Sequence, residues 1–256
     1  MAFRGETHRA ITHTTDIKTC HPEVKHIQLS HISVSDIITV LTPTCNFRCR
    51  YCFFKPSGFF KPSGCMNHSP ERIADRIQRI RDETGVERVL IAGGEPTLQE
   101  DLPELTKILA GDFHVTISTN GTRRDVLRRS TFHEVHVDLK ALDEEKHIQL
   151  TGESNREVLE CIEEFSGSER IEVSTVLVPG FVDLDEIEGI AEFLSVWDVP
   201  YRITGYVAHG NSLGARRPRD DEIREAARIS RRYLSRVSTS LDFRRHRKRR
   251  MIIRTL

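Results

Sequence analysis

Cys45-Asn-Phe-Arg-Cys49-Arg-Tyr-Cys52 is a run of eight residues that contains three cysteines. It follows an apolar, β-branched segment at residues 37–41, which predicts a strand that ends at Pro43. Three thiolates at these spacings can wrap a compact iron–sulfur cluster and leave one iron open to bind a reactant. A structural zinc site, with Cys65 or His68 as the fourth ligand, is the alternative on this motif alone.

Strand and helix patterns alternate on the C-terminal side of this loop. The first helix is predicted from Pro70, with Ser69 as its N-cap and Gly85 as its end. Six strands separated by helices predict a parallel sheet with right-handed crossovers, because parallel neighbours need long connections. The pattern therefore indicates an α/β fold, and it leaves both an open sheet and a partial barrel possible. The strands are predicted at residues 37–41, 89–92, 115–118, 135–139, 171–178 and 201–207.

Polar or glycine-rich segments follow the predicted strands. Gly93-Gly94-Glu95-Pro96 comes after the second strand and Ser118-Thr119-Asn120-Gly121 ends the third. Asp138 and Lys140 end the fourth strand, and their spacing of two places them on one face. Taken singly, the Gly-Gly segment is interpreted as a tight turn, and Asp138 with Lys140 as a surface ion pair. Because ligands bind at the carboxyl ends of parallel strands, we expect the segments to meet in one site.

Together, the CxxxCxxC loop and the Gly-Gly-Glu-Pro segment resemble the signature of the radical S-adenosylmethionine (SAM) superfamily. The resemblance implies a partial (β/α)6 barrel of parallel strands, open on one side. It also implies a [4Fe-4S] cluster on Cys45, Cys49 and Cys52, whose open iron binds SAM so that reductive cleavage yields a 5′-deoxyadenosyl radical. The residues that it places near SAM are Tyr51, Gly93, Gly94, Glu95, Ser118, Asn120, Asp138, Lys140 and His209.

The order of the weaker motifs is most similar to glycyl-radical-enzyme activating proteins, such as pyruvate formate-lyase activating enzyme. The motifs are Val137-Asp-Leu-Lys140, Leu150-Thr-Gly152, Val176-Leu-Val-Pro-Gly180 and the segment from Tyr206 to His209. This resemblance implies hydrogen abstraction from a glycine in a partner protein, and a reductant such as flavodoxin or ferredoxin. Radical modification of a small molecule, another protein or RNA is the alternative. A non-catalytic metal-binding scaffold is an alternative of another class.

Composition predicts a cytoplasmic globular protein: the chain has 256 residues, of which 38% are hydrophobic and 30% charged, and six are cysteines. No apolar stretch approaches a membrane span of about 20 residues. We divide the chain into an N-terminal extension (1–36), a radical SAM core (37–210) and a C-terminal helix with a basic tail (211–256). Residues 215–256 carry fifteen Lys or Arg and five Asp or Glu. This tail is either solvated or a contact for phosphates or an acidic partner.

Overall fold

A computed structural model describes residues 26–52, 66–168, 170–208, 213–244 and 252–254 of the chain. The strands are β1 Ile27–Leu29, β2 His31–Val34, β3 Ile38–Thr42, β4 Met66–His68, β5 Arg88–Gly93, β6 His114–Thr119, β7 Glu134–Asp138, β8 Ile171–Leu177, β9 Tyr201–Gly205, β10 Val237–Thr239 and β11 Ile252–Arg254. The helices are α1 Pro70–Thr84, α2 Leu102–Leu109, α3 Arg124–Arg129, α4 Glu144–Thr151, α5 Arg156–Phe165, α6 Leu184–Ser195, α7 Asp220–Ser230 and α8 Ser240–Arg244. A 3-10 helix covers Pro96–Leu98.

The main sheet has nine strands in the order β10-β9-β8-β7-β6-β5-β3-β2-β11. The strands β3, β5, β6, β7, β8 and β9 pair in parallel with their neighbours, so the predicted parallel sheet is confirmed. β10 extends it in parallel, while β2 and β11 are antiparallel. In the described residues the edge strands β10 and β11 do not pair with each other, as a sheet that is open on one side requires.

Helix α1 begins and ends as the sequence predicts. The Ser69 side chain accepts a hydrogen bond from the backbone N–H of Arg72 at 3.3 Å, and Pro70 is the first helical residue. Gly85 follows the helix in the left-handed conformation, with φ of 70°, which glycine adopts without steric strain. The residues Ile73, Ile77 and Ile80 are fully buried, so one apolar face of α1 lies in the core.

Alternation along the strands separates an apolar face of the sheet from a polar one. Val89, Ile91, Val115, Ile117 and Val135 are fully or almost fully buried with the apolar side chains of the helices. The residues between them on the same strands point to the opposite face, because side chains alternate along a strand. The hydrophobic core therefore lies between the sheet and the helices that connect its strands.

Five short strands were not predicted from the sequence. Strand β2 lies inside the predicted N-terminal extension, and it pairs with β3 along its whole length. All four of its residues are buried. Strands β1 and β4 form a separate two-stranded antiparallel sheet, and β10 and β11 complete the set. A strand of three or four residues is too short to show a clear alternation of apolar and polar side chains.

Some features of the sequence lie outside the described residues. These are the repeat Phe-Phe-Lys-Pro-Ser-Gly at 53–64, the basic run at 245–250 and His209. Among the helices that are described, none is long and apolar enough to cross a membrane.

Three histidines should make the stability of the fold depend on pH. Burial disfavours the imidazolium and so lowers the pKa of His31, His136 and His147 in the folded protein. The unfolded chain then binds more protons near its own pKa of about 6.5, so the free energy of unfolding falls as the pH drops through that value. We expect a lower Tm at about pH 5.5 than at about pH 7.5 in thermal scans.

Substitution of a buried histidine distinguishes its contribution to the pH dependence of Tm from other effects of acid on stability. The variant His147→Gln should show a smaller loss of Tm on acidification than the parent protein. His114, whose side chain is 41% exposed, provides the matched control His114→Gln, which should keep the parent's pH dependence. An identical pH dependence in the parent and in His147→Gln would contradict the proposed role of that buried imidazole.

Candidate active site at the carboxyl ends of the strands

A cavity of about 350 Å³ lies at the carboxyl ends of the central parallel strands. The structure brings eleven of the twelve predicted site residues to its wall, and the twelfth, His209, lies outside the described residues. The cavity adds residues that sequence analysis did not select, among them Phe47, Thr119 and Tyr206. The predicted residues at the wall are Cys45, Cys49, Tyr51, Cys52, Gly93, Gly94, Glu95, Ser118, Asn120, Asp138 and Lys140.

The cysteine loop is anchored by the last turn of helix α4. The backbone N–H of Arg48 donates to the carbonyl of Thr151 at 2.7 Å, and that of Arg50 donates to the carbonyl of Leu150 at 2.9 Å. Gly152 ends the helix with φ of 83°. Both carbonyls belong to the last turn of α4, where carbonyl groups have no N–H partners within the helix itself. The Leu150-Thr-Gly152 motif therefore holds the backbone on both sides of Cys49.

The three cysteines of the loop line the cavity, and none of them forms a disulfide bond with another described cysteine. Burial raises the pKa of Cys45 to about 11, with smaller contributions of the same sign from Glu95, Cys49 and Cys52 and an opposing hydrogen bond at Phe47. A bound metal reverses this preference, because a thiol that coordinates a metal is deprotonated. The thiol of Cys45 is thus a ligand group that a bound metal would ionise.

The arrangement of the thiols bears on the kind of metal centre. Within the described part of the chain, no three His, Cys, Asp or Glu side chains are placed around a single metal ion. An iron–sulfur cluster does not require three ligands around one ion, because each thiolate binds a different iron. Of the two candidate fourth ligands for zinc, His68 lies in β4 and is not among the described residues of the cavity wall, and Cys65 lies outside the described residues.

The Gly-Gly-Glu-Pro turn packs directly against the chain that leads into the cysteine loop. Gly94 N–H donates to the carbonyl of Thr42 at 2.7 Å, and Glu95 N–H donates to the carbonyl of Thr44 at 2.6 Å. A Cβ atom on Gly94 would lie 2.0 Å from the carbonyl oxygen of Thr44. On Gly93, whose φ is 117°, it would lie 2.5 Å from that of Thr42. Only glycine permits this approach, which fixes the turn and the cysteine loop relative to each other.

Glu95 has a structural role that the sequence did not reveal. Its side chain is almost completely buried, and its Oε1 accepts hydrogen bonds from the N–H and hydroxyl of Thr97 and from the hydroxyl of Thr119. Oε2 accepts from the N–H of Asn120 at 2.6 Å. Burial raises the pKa of Glu95, and these four donors oppose that rise. Oε1 accepts three of these hydrogen bonds and Oε2 only one, so Oε2 is the oxygen that can still accept from a ligand in the cavity.

Asn120 connects the third predicted strand to the cysteine loop. Its Nδ2 donates to Oδ1 of Asn46 at 2.8 Å, and its Oδ1 accepts from the N–H and hydroxyl of Thr122. Asn46 in turn donates to the Thr122 hydroxyl at 2.9 Å. Asn46 is the residue after Cys45, so this network positions the start of the cysteine loop.

Asp138 and Lys140 form an ion pair at the cavity wall, on the same face as predicted. Lys140 Nζ lies 3.1 Å from Asp138 Oδ2, and the Ser174 hydroxyl donates to Asp138 Oδ1. Nζ also lies 5.9 Å from the centre of the Tyr51 ring. Burial disfavours the ammonium, but the neighbouring carboxylate of Asp138 opposes this effect, and the pKa of Lys140 is raised above its usual value. The site therefore keeps a fixed positive charge beside a carboxylate.

Two tyrosines line the cavity with hydroxyls that find no hydrogen-bond partner among the described residues. Tyr51 and Tyr206 meet edge to face, with ring centres 6.3 Å apart. Burial raises the pKa of both phenols, so both remain neutral donors. A buried hydroxyl without a partner costs about 1–3 kcal/mol. This cost favours a polar ligand in the cavity, and Ser118 and Asp138 at the same wall add further polar groups.

The cysteine loop, the close glycine turn and the paired charges on a parallel α/β sheet define a class of enzyme. The sequence profile of the Radical SAM superfamily matches residues 39–194, and the chain belongs to this superfamily. Its members use a [4Fe-4S] cluster and SAM, and the donor set of the cavity fits both groups.

Relatives of the chain carry more specific names. A protein of Methanocaldococcus jannaschii, provisionally named a glycyl-radical enzyme activating enzyme, is 50% identical over 234 residues, which cover 88% of this chain and 89% of that protein. Two solved structures show the same fold. Streptococcus suis SuiB bound to S-adenosylmethionine has a TM-score of 0.64 and 19% identity over 80% of this chain and 50% of that one. A domain of pyruvate-formate lyase-activating enzyme from Bacteroides vulgatus has a TM-score of 0.51 and 18% identity over 59% of this chain and 98% of that domain.

Proposed function

We propose that this radical SAM enzyme abstracts hydrogen from the Cα of a glycine in a partner protein. The observation that carries the proposal is the 50% identity, over 88% of the chain, to the Methanocaldococcus jannaschii protein named as an activating enzyme. The order of motifs in the sequence agrees with this choice of substrate. The cavity supports the radical SAM chemistry that this reaction needs, because it gathers the thiols, the glycine turn and the ion pair in one place.

In this proposal Cys45, Cys49 and Cys52 each ligate one iron. A [4Fe-4S] cluster held by these residues would supply the electron for reductive cleavage of SAM to methionine, and the 5′-deoxyadenosyl radical would take the hydrogen atom from the substrate. The protein's own groups bind and orient SAM. The ammonium of Lys140 pairs with the methionine carboxylate, and Asp138 accepts from the ribose hydroxyls. Phe47 and Val176 at the cavity wall exclude water from the reacting atoms.

An external protein must supply the electron, and we propose flavodoxin or ferredoxin as the reductant. Although its thiol is partly buried, Cys45 is the most exposed of the three proposed ligands, and we propose that the electron enters from its side. A reducing compartment keeps such thiols free, so we propose the cytoplasm as the location.

Replacement of Lys140 should weaken SAM binding without preventing assembly of the cluster. In Lys140→Met the SAM carboxylate loses its cation and meets the uncompensated charge of Asp138. We expect the Kd to rise about 10-fold to 100-fold, which is the range for a hydrogen bond to a charged group. Anaerobic calorimetry on cluster-loaded protein measures this. Lys107 is exposed on α2, so Lys107→Met is the matched control. Equal affinity of Lys140→Met and Lys107→Met for SAM would show that Lys140 does not bind SAM.

Two measurements test the function itself. Anaerobically reconstituted and reduced protein should release 5′-deoxyadenosine from SAM. A partner protein labelled with deuterium at its glycine Cα positions should then transfer deuterium into the 5′-deoxyadenosine. Release without transfer from any candidate partner protein, but with transfer from a labelled small molecule or RNA, would overturn the choice of substrate. Failure of cluster-loaded protein to cleave SAM would overturn the mechanism.

A further inference from the structure

A second cavity, of about 500 Å³, adjoins the first on the polar face of the sheet. The two cavities share Ser118, Gly205 and Val207 at their walls, so a molecule in the second cavity reaches the SAM site. Its floor consists of alternate residues of the parallel strands, which point away from the core. The hydroxyls of Ser174, Thr204 and Ser240 lie along its wall.

The charges inside this cavity are mostly compensated. Arg202 Nη2 lies 3.0 Å from Glu172 Oε2, and His136 Nε2 lies 3.8 Å from Glu172 Oε1. Burial lowers the pKa of His136, although Glu172 opposes that change. The imidazole is therefore neutral at neutral pH, and Glu172 and Arg202 cancel each other. These groups offer donors and acceptors without a net charge.

Arg217 adds one positive charge that no described carboxylate neutralises by an ion pair. Its neighbours behave differently: Arg216 lies 2.6 Å from Glu222, and Arg219 lies 3.1 Å from Asp221. The side chain of Arg217 is exposed and lines the cavity. A guanidinium in this position suits a carboxylate, which it can bind through two parallel hydrogen bonds.

We propose that the second cavity binds the peptide segment next to the reacting glycine, and that Arg217 selects a segment with an acidic side chain. This inference rests on the proposed function, because it assumes a protein substrate. The wall hydroxyls and the Glu172–Arg202 pair satisfy the backbone groups of the segment, while Arg217 pairs with its carboxylate. A sphere of this volume is about 10 Å across, which an extended chain crosses in about three residues. The acidic residue therefore lies within about three positions of the glycine.

Short peptides with a central glycine test the proposal on the full-length protein loaded with cluster and SAM. Six peptides carry one Asp at each of the three positions on either side of the glycine, and six others carry Asn there. Fluorescence anisotropy should show at least one Asp peptide binding about tenfold more tightly than its Asn partner, as expected for a charged hydrogen bond. In Arg217→Gln this preference should disappear. Arg224 is exposed on α7 and is not among the residues of the cavity wall, so Arg224→Gln should retain it.

Three outcomes would overturn the inference: equal affinity for Asp and Asn peptides, no binding of any peptide, or a preference that survives in Arg217→Gln. Binding of glutarate or inorganic phosphate that depends on Arg217, without binding of any peptide, would assign the cavity to a small anion instead. Release of 5′-deoxyadenosine by the parent protein without peptide separates the two hypotheses. Its absence counts against the proposed function, whereas normal release with unselective peptide binding overturns this inference alone.

Discussion

Cys49→Ala is expected to lose the iron–sulfur cluster and to stop releasing 5′-deoxyadenosine. Cys49 is buried, lines the cavity and lies between the two backbone hydrogen bonds that anchor the loop to α4. With only two thiolates left, the loop cannot hold three irons of a cluster. Changes in outer partners of metal ligands cost about 10-fold to 100-fold in metal affinity or activity, so loss of a direct ligand should exceed about 100-fold. Iron content should fall from about four per chain to near zero.

Cys161→Ala is the matched control for this change. Cys161 is also buried and free, but it packs in the core beside Gly121 and is not at the cavity wall. Its replacement removes one small core group, at a cost of about 1 kcal/mol, and should leave the iron content and SAM cleavage unchanged. Iron analysis, visible absorption and release of 5′-deoxyadenosine are measured on both variants after the same reconstitution. A full complement of iron in Cys49→Ala would rule out Cys49 as a ligand.

Gly94→Ala should both destabilise the protein and abolish binding of SAM. The new Cβ would overlap the carbonyl of Thr44 at 2.0 Å, and that atom belongs to the backbone and cannot rotate away. The turn or the cysteine loop must therefore move, and the hydrogen bond from Glu95 N–H to Thr44 must lengthen or break. We expect a loss of about 3 kcal/mol or more in the free energy of unfolding, measured by urea titration.

Gly111→Ala separates this effect from the general effect of an added methyl group. Gly111 lies between α2 and β6, and a Cβ there would meet no atom within 4 Å. Its free energy of unfolding should change by less than about 1 kcal/mol, in the stabilising direction because alanine restricts the unfolded chain. SAM binding by this variant should match that of the parent. Similar urea midpoints for Gly94→Ala and Gly111→Ala would show that the close approach of Gly94 to Thr44 does not restrict position 94 to glycine.

The sequence predicts the six parallel strands because each has a run of apolar residues and each connection is long enough for a helix. It also predicts which segments share the site, since the carboxyl ends of parallel strands lie at one edge of a sheet. Asp138 and Lys140 illustrate this: a spacing of two residues predicted a common face, and the structure places the two side chains in an ion pair there.

Contacts between distant segments could not be predicted in the same way. The family resemblance placed Glu95 near SAM, but most of its acceptor capacity is taken by Thr97, Thr119 and Asn120. Nothing in local sequence specifies that these groups are in reach, because the partners at 119 and 120 belong to another strand. The lack of an ion-pair partner for Arg217 among the described carboxylates is a similar case, since it depends on which arginines pair with Asp221 and Glu222.

One face of the sheet stabilises the fold, and the opposite face presents the polar groups that we assign to substrate recognition. Stability depends on the valines and isoleucines beneath the helices, such as Val89, Ile117 and Val135, which are fully buried. The opposite face presents Ser174 and Thr204, whose loss would leave that apolar layer intact. Substitutions on the polar face can therefore accumulate without unfolding the protein. A scaffold built in this way can be retargeted to new substrates during evolution while its radical chemistry stays the same.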